Sequence, residues 1–150
     1  MRIFTMADVK KTINLKRTMA FAVVISIVMS AAVSAQSLKE IRARDSEESN
    51  LDREVAYTES VCGQSIRASI DWRSAANWPE DVSLTSSCDG ALGALEAVCR
   101  DGNGNARRVT RFVCAGDGSG ASLRGGTLRY GASPGDNGFS STKALLDSEL

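Results

Sequence analysis

The chain has 150 residues, with 18 basic and 18 acidic side chains, four Cys, two Trp and no His. The lack of His excludes Ser-His-Asp and Cys-His nucleophilic catalysis, His-ligated metals and the commonest general base near neutral pH. The charge balance is uneven along the chain: five bases and one acid fall in residues 1–35, which leaves 13 bases against 17 acids, a net −4, in the rest.

The first 35 residues read as a secretory signal peptide. Arg2, Lys10, Lys11, Lys16 and Arg17 form a basic lead-in, residues 19–33 an apolar run, and Val33-Ser34-Ala35 a small-residue cleavage pattern. An apolar run of about 15 residues falls short of the roughly 20 needed to span a bilayer. Gln36 is therefore the expected first residue after cleavage, with Met1 or Met6 as the start codon. The net charge of what remains argues against nucleic acid and anionic lipid as partners.

Residues 36–55 (QSLKEIRARDSEESNLDREV) are highly charged and lack aromatics. This is the composition of a disordered or partly helical stalk, so the folded domain is expected over residues 56–150. Within it, residues 62–72 alternate, with Cys62, Ile66, Ala68, Ile70 and Trp72 on one face, which predicts a half-buried strand. After a loop holding Trp78-Pro79, Ser86 and Asp89 resemble a capping box that opens a helix to about Arg100. Cys88, Leu92, Leu95 and Cys99 form that helix's apolar stripe. A second strand is expected over residues 107–114. A hairpin follows, with 122–124 and 127–130 flanking Gly125-Gly126, and a terminal helix spans about 139–150.

All four Cys lie after the leader, an even number in an oxidising compartment, so two disulfides are expected rather than a zinc site; no pair has metal-knuckle spacing. Four Cys allow three connectivities. Cys88 and Cys99 on one helix stand about 16 Å apart along the axis, too far for a direct bond. If each strand runs antiparallel to the helix, Cys62 reaches Cys99 at one end and Cys114 reaches Cys88 at the other. The predicted pairs are Cys62–Cys99 and Cys88–Cys114, both stapling the helix to the sheet.

Carboxylate chemistry needs no His, and Asp71, Asp89 and Glu96 lie in the folded part. Asp89 is already explained by the helix cap and Asp71 by the solvent face of its strand. Asp101-Gly-Asn-Gly-Asn105 matches the opening of a calcium loop, but Ala106 stands where Gly is needed and Phe112 where a bidentate Glu belongs, so a turn is the better reading. The Gly-rich run 116–120 sits between strands and also reads as a turn. Trp78, in a loop, is the candidate binding residue: an exposed indole can stack on a sugar or anchor a partner, while an indole folded back over the core is only structural. Leu145 on the terminal helix is expected to pack on the sheet. No cofactor or metal is called for.

Val61-Cys62-Gly63, Ile70-Asp71-Trp72, Cys88 with Leu95 and Cys99, Cys114, Gly126-Thr127-Leu128 and a terminal helix together resemble uncharacterised small exported bacterial four-Cys proteins, over residues 61–150. The resemblance implies an envelope or secreted compartment and a small fold, with no assigned activity. The sequence therefore predicts an α+β domain: strand, helix, strand, short hairpin and C-terminal helix, stapled by disulfides. The expected role is a non-catalytic binding, inhibitor or accessory module, periplasmic or secreted, whose partner is an extracytoplasmic protein or envelope component. The alternative is a His-free carboxylate enzyme or carbohydrate-binding module.

Overall fold

Leu51, Val55, Thr58 and Cys62 recur at steps of four, three and four residues, the spacing that stacks side chains along one helix face. In the computed structural model, which describes residues 38–150, they lie on helix α1 (38–62) and are 2, 5, 0 and 7 % exposed. Over the described part of the segment expected to be disordered or partly helical, residues 38–55 are helical, and the compact unit begins at Arg44 and not at 56. The narrow stripe straddles residue 55, so neither half shows a helical period alone. Its polar residues are satisfied by specific bonds to the next helix. Gly63, with φ of 64°, ends α1, its N–H donating to the Glu59 carbonyl. The chain divides after Ala43; residues 38–43 are helical with Leu38 and Ile41 exposed, and Arg44–Leu150 form the folded domain.

Strand β1 is Arg67–Asp71, helix α2 is Leu84–Arg100, and a 3-10 turn spans Gly104–Arg108. Strands β2 (Arg111–Ala115), β3 (Gly120–Arg124) and β4 (Thr127–Gly131) follow, then helix α3 (Phe139–Glu149). Three boundaries differ from the sequence reading. Cys62 closes α1 instead of opening β1. Helix α2 begins two residues before Ser86 because Ser83 is its cap, its hydroxyl accepting the Ser86 N–H at 3.1 Å. Strand β2 starts at Arg111 because Asn103, accepting the Asn105 N–H at 3.0 Å, turns 104–108 into a 3-10 helix.

The sheet order is β1-β2-β4-β3, with β1, β2 and β4 parallel and β3 antiparallel to β4. The two-residue turn Gly125-Gly126 has positive φ at both positions and pairs Arg124 with Thr127, as the Gly-Gly signature requires. Register places Ala68 and Ile70, Phe112 and Cys114, Leu128 and Tyr130, and Leu123 and Ala121 on one face. All eight belong to the single apolar core, together with Leu51 and Val55 of α1, Leu92 and Leu95 of α2 and Leu146 of α3. The three helices therefore cover one face of the sheet, an α+β fold in two layers. Leu145 packs against the same core.

Both disulfides are present, Cys62–Cys99 and Cys88–Cys114, with Cα atoms 5.1 and 5.9 Å apart. Cys88–Cys114 staples α2 to β2. Cys62–Cys99 instead joins two parallel helices at their C-terminal ends. Gly90 sets the approach of the α3 segment to α2, since a Cβ there would overlap the Asn137 carbonyl. Among the described residues no helix is long and apolar enough to cross a membrane. The signal-peptide reading of 1–35 lies outside the described residues.

Candidate functional site

Because every helix among the described residues of the domain sits on one face, the alternate side chains of the strands meet no second layer among those residues. Register aligns Arg67, Arg111, Thr127 and Arg124 in one row across all four strands of this open face. Strands about 4.8 Å apart make the row span roughly 14 Å. Arg67, Arg111 and Arg124 are exposed, and among the described residues no carboxylate or carbonyl partners their guanidinium groups. Arg67 and Arg111 stand directly opposite each other, and like charges so placed oppose the pairing of their strands. The next row, Ser69, Val113, Arg129 and Ser122, is polar apart from half-buried Val113.

Arg129 is held. It donates to Asp117 Oδ2 at 2.6 Å and to Ser119 Oγ at 2.7 Å, and Asp71 lies 3.7 Å away. The Arg129 bond, helped by Ser119, keeps the Asp117 carboxyl down at about 2. This cluster folds the β2–β3 loop over Gly131, where a Cβ would overlap Asp117 and Ser119. It closes the carboxyl end of the sheet and leaves the arginine row open at the other.

Trp78 is half-buried. Its indole N–H donates to the Val82 carbonyl at 2.8 Å, and its ring lies against Gly116, where a Cβ would come within 2.9 Å of Cε3. The residue braces the 72–83 loop on the core. Asp71 lies on the open face and Asp89 on α2 across the sheet, so the structure does not bring them together. Asp89 does not cap α2; it lies beside Glu54 of α1, whose carboxyl is pushed up by burial and then by Asp89. Glu96 accepts the Thr58 hydroxyl at 2.9 Å and pairs with Arg100 at 3.1 Å, binding α1 to α2. Asp101 pairs with Lys143 at 3.4 Å, fixing the 101–105 turn to α3. Among the described residues, no three Cys, Asp or Glu side chains gather to hold a metal.

Sequence reading missed the arginine row. The three residues lie 44, 13 and 57 positions apart in pairs, and only the crossover order of the strands brings them into one row. No family model, curated protein or solved structure matches the chain.

Proposed function

We propose that this chain is a small exported bacterial module, periplasmic or secreted, that acts by binding and not by catalysis, and that it binds an anionic partner on the open face of its sheet. The observation that carries the reading is the row of Arg67, Arg111 and Arg124, unpartnered among the described residues and set on a face no helix covers. A row of like charges opposes the fold that holds it, and an acidic ligand relieves that repulsion. Two disulfides and the leader reading support export, since such bonds persist in oxidising compartments. The absence of His supports a role without acid–base chemistry near neutral pH.

The test is binding of poly-L-glutamate to the oxidised chain across a salt series. Expected is an affinity that falls steeply with salt, with a shallower slope and roughly tenfold or greater loss in the triple variant Arg67→Ala/Arg111→Ala/Arg124→Ala. Equal affinities for the two proteins would place the binding elsewhere. Export is tested separately by an intact mass from the native host, expected to begin at Gln36 with both bridges closed.

A further inference from the structure

Among the described residues, the order β1-β2-β4-β3 leaves β1 with a neighbour strand on one side only. The Arg67 N–H donates to the Thr110 carbonyl at 3.1 Å, so Arg67, Ser69 and Asp71 direct their backbone groups to β2. The N–H and C=O groups of Ala68 and Ile70 then face the free edge. A groove of about 290 Å³ runs along that edge, walled by Glu48, Leu51 and Asp52 of α1 and floored by Ala68, Ile70 and Trp72. Ala68 and Ile70 are only half-buried, although their register partners Phe112 and Cys114 are fully buried. The inner face is thus less covered at this edge than at β2. β1 has no Pro, no Lys and no bulge; its charged residues, Arg67 and Asp71, lie on the open face, and α1 walls the edge without pairing with it.

We infer that the partner of the arginine face is an extended protein segment, alternating apolar and acidic residues, that adds to the sheet beside β1. The inference rests on the arginine row being a binding surface. An added strand presents alternate side chains to the two faces. Those on the open face continue the row of Arg67 and Arg111, where acids are favoured. Those on the inner face enter the groove against Leu51, Ala68 and Ile70, where the carboxylates of Glu48 and Asp52 disfavour acids and apolar side chains fit. Alternation follows from the two environments. A lipid headgroup or a sugar-phosphate backbone offers no N–H and C=O at strand spacing to meet Ala68 and Ile70.

The experiment uses the oxidised chain and two end-blocked probes, an octapeptide of alternating valine and glutamate and an octaglutamate. Backbone amide exchange is followed by NMR, and affinity is measured for wild type, for Ala68→Pro and for the triple arginine variant. Proline at 68 removes an edge N–H and leaves the β1–β2 ladder intact. Expected are tighter binding of the alternating peptide than of octaglutamate and slowed exchange at Ala68 and Ile70. A loss of roughly tenfold or more is also expected in Ala68→Pro. Exchange in the wild type decides the matter even where the proline variant does not fold. Binding that depends on the arginines, with no protection at Ala68 and Ile70 or with equal affinity for both probes, overturns strand addition and leaves the arginine-face reading standing. Failure of both probes to bind overturns both. Concentration-dependent protection of Ala68 and Ile70 without peptide makes a second copy the occupant and overturns the inference.

Discussion

Glu47 of α1 accepts the backbone N–H of Thr85 at 2.8 Å, so one helix supplies a carboxylate to the first turn of the next. The same carboxylate accepts the Ser83 hydroxyl at 3.1 Å, and the Thr85 hydroxyl donates to the Glu47 carbonyl at 3.0 Å. An anion at a helix N-terminus meets both the unsatisfied N–H groups and the positive end of the helix dipole. Glu47→Ala is expected to lower stability by about 1–2 kcal/mol, and Glu47→Gln, which keeps an acceptor, by less. Urea unfolding of the oxidised protein measures both. An unchanged midpoint for Glu47→Ala would mean that water replaces the carboxylate without loss.

The two disulfides should differ in their response to reductant. Cys88 and Cys114 are fully buried, whereas Cys99 is half-buried and Cys62–Cys99 lines a surface groove with Gly102 and Asn103. Graded thiol treatment with alkylation and peptide mass mapping should label Cys62 and Cys99 before Cys88 and Cys114. Replacing either pair by Ala should cost on the order of 2–5 kcal/mol. Labelling of Cys88 and Cys114 first would contradict this order of access.

Alkaline pH should act through Tyr130. Its ring is buried between the sheet and the 132–138 loop, and its hydroxyl donates to Asp136 Oδ2 at 3.1 Å. Burial, and then the Asp136 carboxylate, push the phenol up from 10.0 to about 12. The folded state therefore holds the proton more tightly than the unfolded chain. This contribution is complete below pH 10 and is lost as pH rises through about 12. In a Tyr57→Phe background, ultraviolet titration of the remaining tyrosine should show ionisation near pH 12, accompanied by loss of the folded state. A transition at the ordinary phenol value with the fold intact would show that the ring is accessible.

Gly90→Ala tests the contact between α2 and the segment before α3. The added Cβ must displace the Asn137 carbonyl, and overpacking of this kind costs about 1–3 kcal/mol. Gly93→Ala, whose Cβ would meet the Phe139 ring at an ordinary 3.6 Å, should be neutral or stabilising. Thermal melts of the two variants distinguish the cases, and equal losses would refute the assignment of the close approach to Gly90.

Local patterns carried much of the fold. The alternation around Ile70, the stripe from Cys88 to Cys99 and the Gly125-Gly126 turn each report on neighbours within a few residues. The elements they predict are present, as are the two bridges, although Cys62 reaches Cys99 from the end of α1 and not from the predicted strand. The charged segment before residue 56 left disorder and helix both open because its helix is stabilised by partners far along the chain: Glu47 by Thr85, Glu48 by Trp72 and Thr58 by Glu96. Only the tertiary structure decided that the described helices share one face, that Trp78 folds onto Gly116, and that Arg67, Arg111 and Arg124 fall in one row, with Thr127 between the last two. Strand order determines these relations. It is set by how the whole core packs, and no short window of sequence contains it.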